Sequence, residues 1–194
     1  ADPATFETIN REYGRDRSRV YHRQFPIEGA DPASFEHVGG LFWKDKHTAY
    51  YAAKPIPGSD PDTFRTLRYS YWSRDRDNVY VGVDPVNPRD IASFRQISEQ
   101  WARDDVWYYA QNYGKYQPFE ELDLATFKIL EGAWAKDCCR VFWLGNVVEG
   151  ADPATFTTIN QFRGQDEAWV YLMGTRQRTI EEERALQERN KSQP

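Results

Sequence analysis

Short runs of β-branched and aromatic residues recur along the chain, and residues typical of turns separate them. The runs include "VYH" at 20–22, "AYY" at 49–51 and "VYV" at 79–81. Residues of these types favour β-strands. Each of these runs is followed by a short turn and a second stretch such as "FPI", "KPI" or "DPV". The pattern therefore predicts many small antiparallel strands.

A motif of Asp followed four residues later by Phe marks the start of each interval. Its six copies begin at Asp2, Asp31, Asp60, Asp90, Asp123 and Asp152, so the steps are 29, 29, 30, 33 and 29 residues. A second Asp follows 14 or 15 residues after the first, at Asp16, Asp45, Asp75, Asp104, Asp137 and Asp166. Five residues later comes an aromatic residue: Tyr21, Tyr50, Tyr80, Tyr109, Phe142 or Tyr171. Six copies in one register predict a tandem-repeat protein.

Each copy begins with residues, most often Asp-Pro, that favour a short helical turn. Asp caps free backbone N–H groups, and Pro is tolerated at the first helical position. In such a turn, Phe64 and Leu67 would share one face, as would their counterparts in the other copies. Five copies place an aromatic residue three positions before the second Asp, and Arg163 is the exception. One unit cannot bury its rings alone, so we expect stacked units that share an aromatic core.

The predicted fold class is α+β: a β-rich tandem-repeat array of six units of about 29 residues. Each unit combines a short helical turn with small antiparallel strands. Residues 1–178 form one domain in this prediction, and residues 179–194 form a C-terminal helix and tail. Thr179 and Glu182 match a capping box at the start of that helix, which we expect to close the last repeat.

Composition narrows the classes of function. The chain has 194 residues and a net charge of −5, with 40% hydrophobic and 15% aromatic residues. The acidic balance argues against a general nucleic-acid binder, which needs a basic face. The sequence has no apolar run long enough for membrane insertion and no visible signal peptide. It begins without Met inside a motif, which indicates a processed or trimmed chain whose targeting segment is not present.

The repeated Asp residues are interpreted as structural. An active site is normally singular, whereas this pattern occurs six times, so the first Asp serves as a cap and the second as a turn former. The three His residues show no zinc spacing with the cysteines. No nucleophile or phosphate-binding motif is present either. We therefore predict no catalytic residues, no metal and no cofactor, and we expect that the protein is not an enzyme.

The adjacent Cys138 and Cys139 are interpreted as two small apolar side chains at the start of a strand. Neighbouring cysteines rarely bridge each other because the ring is strained. Two cysteines also make no disulfide framework. A redox or metal role is the alternative.

A break in the repeat pattern indicates where a partner binds, because insertions in repeat proteins lie on loops of one face. The largest break is Ala110–Leu122, which adds four residues and contains Tyr113, Lys115, Tyr116 and Phe119. Trp107 and Trp169 are further candidates, since the other copies lack Trp at these places. The alternatives are a longer hairpin that packs its own rings and a core position for both tryptophans.

Two stretches carry a resemblance to a known family. "KDKHTAYYAAKPIPGSDPDTF" (Lys44–Phe64) and "AKDCCRVFWLGNVVEGADPATF" (Ala135–Phe156) resemble the bacterial DKNYY repeat family. The Asn of its signature occurs here only at Asn78, and Ile91 and Leu124 stand where Pro is usual. The resemblance implies tandem repeats, a bacterial source and a setting in the periplasm or cell envelope. It lends no catalytic residues, and the occurrence of some members beside toxin systems implies an immunity role.

The sequence leaves two main hypotheses of function. In the first, a non-enzymatic repeat protein binds another protein, in its sharpest form as an immunity protein that neutralises a secreted bacterial toxin. The modest acidity suits a basic partner. In the second, a carbohydrate or cell-wall binding module stacks exposed Trp and Tyr on sugar rings. A hydrolase is a third hypothesis, which requires a deep pocket with converging carboxylates. The sequence names neither the partner nor the oligomeric state.

Overall fold

A computed structural model describes residues 1–69, 71–112, 115–118 and 122–191. Within these residues the chain forms six four-stranded sheets and one α-helix, α1 (Ile180–Lys191). Each sheet belongs to one sequence repeat. We number the repeats one to six, beginning at the first Asp of each motif.

The first three sheets contain β1 to β12. Repeat one has β1 (Glu7–Thr8), β2 (Tyr13–Arg15), β3 (Val20–His22) and β4 (Phe25–Ile27). Repeat two has β5 (Glu36–Gly39), β6 (Phe42–Lys44), β7 (Ala49–Tyr51) and β8 (Lys54–Pro55). Repeat three has β9 (Arg65–Thr66), β10 (Trp72–Arg74), β11 (Val79–Val81) and β12 (Asp84–Val86).

The last three sheets contain β13 to β24. Repeat four has β13 (Arg95–Gln96), β14 (Trp101–Arg103), β15 (Tyr108–Asn112) and β16 (Lys115–Pro118). Repeat five has β17 (Lys128–Ile129), β18 (Trp134–Lys136), β19 (Val141–Trp143) and β20 (Asn146–Val147). Repeat six has β21 (Thr157–Thr158), β22 (Arg163–Gln165), β23 (Trp169–Leu172) and β24 (Thr175–Thr179). The predicted β-rich tandem array of small antiparallel strands is confirmed.

The start of each repeat is a single hydrogen-bonded turn that does not extend into a helix, so the predicted helical turn in every unit is not shown. In repeat three, Asp60 accepts hydrogen bonds from the Asp62 N–H at 3.0 Å and from the Thr63 hydroxyl at 2.7 Å. Strand β9 then begins directly after Phe64 and pairs with β10. This pairing requires an extended backbone, so the predicted helical face that joins Phe64 to Leu67 is wrong.

In repeats one to five, the aromatic residue at the start of the second strand packs against the Phe of the next repeat. The ring centroids are 5.0 to 6.2 Å apart in the pairs Tyr13–Phe35, Phe42–Phe64, Trp72–Phe94, Trp101–Phe127 and Trp134–Phe156. Such separations are those of favourable aromatic contacts. The expectation that rings interlock between successive repeats is therefore confirmed at five junctions.

The C-terminal helix explains the exception at Arg163. The Arg163 guanidinium donates a 2.8 Å hydrogen bond to Glu183 of α1, so this position contacts the helix where other copies contact another repeat. The predicted capping box is confirmed. The Glu182 carboxylate accepts from the Thr179 N–H at 2.9 Å, and the Thr179 hydroxyl accepts from the Glu182 N–H at 3.2 Å.

The chain divides into two compact units, which are described separately below. The first contains residues 1–99 and 104–106, and the second contains residues 100–103 and the chain from residue 107 onward. In the described part of the chain, no helix combines the length and the apolar character that a membrane crossing requires.

Candidate functional site

The second Asp of each repeat is a buried carboxylate that holds the unit together. In repeat three, Asp75 Oδ2 accepts from the Asp60 N–H at 2.9 Å and from the Tyr80 hydroxyl at 2.8 Å. Its other oxygen, Oδ1, accepts from the N–H groups of Asp77 and Asn78 at 2.9 and 2.7 Å. The carboxylate thus connects the turn that opens the repeat with the middle of its sheet. The interpretation of these Asp residues as turn formers is confirmed, but they do more than shape a turn.

The electrostatics fit a structural role. Burial acts to raise the pKa of Asp75, but the hydrogen bonds from Asp60, Tyr80, Asp77 and Asn78 outweigh it and hold the pKa below its ordinary value. Burial and the bond to Asp75 raise the pKa of Tyr80. Both groups are therefore locked in one protonation state at neutral pH, whereas a general acid or base works best with a pKa near the operating pH.

Repeat five departs from this arrangement. Phe142 stands where four other copies have a Tyr hydroxyl bonded to the carboxylate, and it has no hydroxyl to offer Asp137. The Arg140 guanidinium lies 3.6 Å from Asp137 Oδ2 and also over the Phe142 ring, 5.6 Å from its centroid. The bond from the Asp123 N–H to Asp137 is longer than its counterparts, at 3.4 Å. The N–H groups of Cys139 and Arg140 still donate to Asp137 Oδ1 at 2.8 and 2.7 Å, so the difference from Asp75 is confined to Oδ2.

Two repeated contacts escaped the sequence analysis. A basic residue directly before the second Asp reaches a carbonyl of the next repeat, over 2.8 to 3.2 Å, in the pairs Arg15–Pro32, Lys44–Pro61, Arg74–Ile91 and Lys136–Pro153. A Ser or Thr at the fourth position of each motif accepts from the N–H that follows the second Asp. The basic residue and the Ser or Thr each recur at a fixed position of the repeat. An alignment of the six copies would therefore have identified both as candidates for conserved contacts between or within repeats.

The two cysteines do not begin a strand, which corrects their interpretation as small apolar side chains there. Both are exposed in the turn after Asp137, and β19 begins only at Val141. The Cys138 N–H donates to Thr126 Oγ1 at 2.9 Å, and the Cys139 N–H donates to Asp137 Oδ1 at 2.8 Å. The turn bonds shared by all six repeats therefore fix this dipeptide.

Each sheet is a four-stranded antiparallel meander, so its first and third turns lie at the same end of the strands and its second turn lies at the opposite end. In repeat two, the Ala52 N–H of the third turn donates to the Leu41 carbonyl of the first at 3.0 Å; in repeat six, the Met173 N–H donates to Phe162 at 2.8 Å. We call the end that carries the first and third turns the hairpin edge. The hairpin edges of the individual sheets present most of the exposed large apolar side chains among the described residues: Phe25, Leu41 and Tyr71 in the first unit, and Ile159, Phe162, Leu172 and Met173 in the second.

A groove lies at the hairpin edge of repeats two and three in the first unit. It has a volume of about 510 Å³ and is lined by Gly39–Phe42, Thr66–Tyr69 and Tyr71–Trp72. Leu41 and Tyr71 are 45% and 54% exposed at this groove. Gly40 has a φ of +55°, in the left-handed region that favours glycine, and a Cβ there would meet nothing within 4 Å. The groove is therefore open, is lined by both polar and apolar groups, and is partly formed by backbone.

The insertion in repeat four lengthens one hairpin. Strands β15 and β16 have five and four residues and pair from Tyr109–Pro118 to Asn112–Lys115. Tyr116 is half-buried on this hairpin, and the side chain of Lys115 is not described. Tyr113 and Phe119 lie outside the described residues. The structure thus confirms an extended hairpin but does not test it as a binding site.

Trp107 and Trp169 occupy equivalent positions, three residues after the second Asp of their repeats. Both are half-buried. Trp169 packs against the core of repeats five and six, and the Arg176 guanidinium lies 4.6 Å from its ring centroid. The other five tryptophans are buried in the core. Part of the Trp169 side chain is therefore buried by contacts with the core. No described contact joins Trp107 and Trp169 in one site.

Comparison with known proteins supports the repeat pattern. A family model described as the DKNYY family matches residues 1–54 and 42–175. Searches of curated proteins and of solved structures give no significant match. Because the family model covers most of the chain, the chain belongs to the DKNYY family.

Proposed function

We propose that this repeat protein is not an enzyme and binds another protein through the groove at the hairpin edge of repeats two and three. The observation that carries the proposal is the exposure of Leu41 and Tyr71 around an open cavity of about 510 Å³. Well-packed aromatic anchors provide much of the binding energy in protein interfaces.

The lining of the groove defines the partner chemistry. Arg68 is its one charged residue among those that the structure describes, and its guanidinium lies 5.5 Å from the Tyr69 ring centroid. The remaining lining consists of glycines, Thr66 and large apolar or aromatic side chains. A partner segment with an apolar anchor next to a carboxylate fits this surface, since opposite charges orient an encounter.

The buried carboxylates support the non-enzymatic part of the proposal. A hydrolase that used the repeated Asp residues would need carboxylate oxygens able to exchange protons with a substrate. Both oxygens of Asp45 and of Asp75 instead accept hydrogen bonds from backbone N–H and Tyr O–H groups. The burial of five of the seven tryptophans also argues for the protein partner over the carbohydrate alternative, which needs exposed rings.

Within this class, we place the protein as an immunity protein that neutralises a secreted bacterial toxin in the periplasm or cell envelope. The resemblance to a family with members beside toxin systems supports this role. In the second unit, the long hairpin with Tyr116 and the preceding Trp107 are a further candidate surface for a protein partner.

Site-specific photocrosslinking tests the proposal. A photoreactive p-benzoylphenylalanine replaces Tyr71 or Tyr116, and the matched control carries it in place of Phe25, which is 65% exposed in the first unit. In cells of the source bacterium we expect a covalent protein adduct from position 71 and not from position 25. Adding Leu41→Asp removes the adduct. Equal labelling from positions 71 and 25, or an adduct that contains only glycan, would contradict the proposed partner class.

A growth assay tests the finer role. The crosslinked partner, identified by mass spectrometry, is expressed alone and together with the chain. We expect growth arrest by the partner and rescue by the wild-type chain, with weaker rescue by Leu41→Asp. A partner that does not inhibit growth would rule out the immunity role while leaving protein binding intact.

A further inference from the structure

The turn of repeat five places two thiols side by side at the surface. Cys138 Sγ and Cys139 Sγ are 2.6 Å apart, and both side chains are exposed. Cys138 Sγ also lies 3.2 Å from Asp123 Oδ2 and donates its hydrogen to that carboxylate. These are the only two cysteines of the chain.

The fold does not require thiols at these two positions. The other copies build the same turn with Arg17–Ser18, Lys46–His47, Arg76–Asp77, Asp105–Val106 and Glu167–Ala168. In every copy the first residue of the pair donates its N–H to the Ser or Thr of the motif, and the second donates to the second Asp. These bonds order the dipeptide backbone, so they also preorganise the two sulfur atoms of repeat five.

We propose that Cys138 and Cys139 form a reversible vicinal disulfide, which makes this exposed turn a site of modification by low-molecular-weight disulfides. The sulfur separation of 2.6 Å is close to the length of a disulfide bond, about 2.05 Å. Repeat five is also the copy in which Asp137 lacks a Tyr hydroxyl.

A metal site is the competing interpretation, because ligand atoms of Asp137, Cys138 and Cys139 lie within 4.8 Å of one another. A tetrahedral zinc ion with Zn–S bonds of about 2.3 Å holds two thiolates roughly 3.8 Å apart. The observed separation is much shorter than this. Structural zinc also takes four ligands, and the cluster supplies three. The geometry therefore favours the disulfide.

The reaction is a thiol–disulfide exchange in two steps. One thiolate of the pair attacks a sulfur of oxidised glutathione; a protein–glutathione bond forms as the S–S bond of the reagent breaks and releases the first glutathione thiolate. The other thiol, once deprotonated, attacks the mixed disulfide, forming the Cys138–Cys139 bond and releasing the second glutathione. The protein loses two electrons and two protons, and the reagent gains them as two thiols.

Oxidation has a defined consequence for Asp123. The hydrogen bond from the Cys138 thiol, with those from Thr126 and Ala125, holds the pKa of Asp123 below its ordinary value. A disulfide has no S–H to donate, so the pKa of Asp123 rises when the ring forms. Asp123 is the first residue of the repeat-five motif. Oxidation of the cysteine pair therefore changes the hydrogen bonding and the pKa of the carboxylate in the opening turn of that repeat.

Mass spectrometry of the full chain in glutathione buffers tests the proposal. Free thiols are blocked with N-ethylmaleimide, and trypsin is expected to release the peptide Asp137–Arg140, which contains both cysteines. We expect a peptide that carries neither maleimide nor glutathione, is lighter than the unblocked dithiol peptide by two hydrogen atoms and is restored by dithiothreitol, without covalent dimers of the protein. Persistent glutathione adducts, covalent dimers or unchanged thiols would overturn the proposal, as would stoichiometric Zn²⁺ binding that blocks oxidation.

Single serine variants supply the control. Ser18 already occupies the position of Cys139 in repeat one, so we expect Cys139→Ser to fold. This variant and Cys138→Ser retain one thiol each and should accumulate the glutathione adduct that the wild type resolves. An NMR titration of wild-type Asp123 should give a higher pKa after oxidation. An unchanged Asp123 pKa in the two states would contradict the proposed ring.

Discussion

The hydroxyl of Tyr50 donates a 2.8 Å hydrogen bond to Asp45 Oδ2, and the Asp31 N–H donates to the same oxygen at 2.8 Å. Asp45 is 3% exposed and Tyr50 is 1% exposed. One buried carboxylate therefore joins the opening turn of repeat two to the centre of its sheet. The same pair recurs as Tyr21–Asp16, Tyr80–Asp75 and Tyr171–Asp166, so predictions for one copy extend to the others.

Removing one of these hydroxyls should destabilise the fold. Tyr80→Phe keeps the ring but withdraws one donor from the buried Asp75. We expect the free energy of unfolding to fall by about 1.5–3 kcal/mol, as for other hydrogen bonds to charged groups. Urea denaturation followed by Trp fluorescence measures the change. Tyr71→Phe is the matched control because Tyr71 is exposed, and a comparable loss there would show that the hydroxyl of Tyr80 is not the cause.

The reverse substitution should stabilise repeat five. Phe142→Tyr introduces a hydroxyl at the place from which Tyr50, Tyr80 and Tyr171 reach their carboxylates. We expect a gain of about 1 kcal/mol, because Asp137 acquires a donor that it lacks in the native chain. The same urea titration measures it. A loss of stability would mean that Arg140 already fills the space of the missing hydroxyl.

Acid should unfold the protein through these carboxylates. Burial acts to raise the pKa values of Asp45, Asp75 and Asp166, but their hydrogen bonds prevail and hold each pKa below its ordinary value. The stability that they contribute is fully present above the unfolded-state pKa of about 3.9 and is lost as pH falls through the folded-state values. Melting temperatures measured between pH 7 and pH 2 should drop below about pH 4. A constant melting temperature across that window would contradict the mechanism.

The tyrosines predict a second loss at alkaline pH. Burial and the hydrogen bond to Asp166 raise the pKa of Tyr171 to about 12. A raised folded-state pKa contributes stability that is present below the unfolded-state value of about 10 and is lost as pH rises through the folded-state value. We expect the free energy of unfolding to decline between these two values. Tyr171→Phe should show a shallower decline, and an identical decline would assign the effect to other groups.

The sequence was sufficient for the repeat, the strand-rich units, the interlocking rings and the capping box, because each leaves a periodic or local signature. It failed at the opening turn, where Asp-Pro fits a helix start equally well. The outcome there depends on the pairing of Arg65–Thr66 with Ser73–Arg74, a tertiary interaction that local propensity does not contain. Propensity is a weak guide wherever such pairing competes with it.

The candidate groove could not be predicted from the sequence for a similar reason. Gly40 lies in repeat two and Tyr69 and Tyr71 lie in repeat three, and only the stacking of the repeats brings them to one cavity. The four-residue insertion was visible as a break in spacing, and its hairpin is present. The buried position of the second Asp was not visible, since Asp in a turn is usually solvated.

The inter-repeat rings should contribute more to stability than the opening turn. Phe64 is 5% exposed and lies against Phe42 and Tyr80, at centroid separations of 5.8 and 6.2 Å. We expect Phe64→Ala to cost about 3–5 kcal/mol of unfolding free energy, as for other large-to-small core changes. Asp60→Ala removes one turn cap and should cost about 1 kcal/mol. Equal, small losses in urea denaturation would contradict the stacking of the repeats.

The link between Arg163 and α1 should control whether the helix stays docked. Arg163→Ala removes the 2.8 Å hydrogen bond to Glu183, which is 8% exposed and retains only Arg178 as a cationic neighbour, 3.4 Å away, among the described contacts. Because α1 consists mostly of charged residues, apolar packing contributes little to its docking and does not compensate for the lost hydrogen bond. We expect faster hydrogen exchange of residues 180–191, with the core strands of repeats two and three unchanged. Arg189→Ala, an exposed position in the last turn of the same helix, is the control and should leave the exchange unchanged. Unaltered exchange of α1 in Arg163→Ala would mean that the helix does not depend on this ion pair for docking.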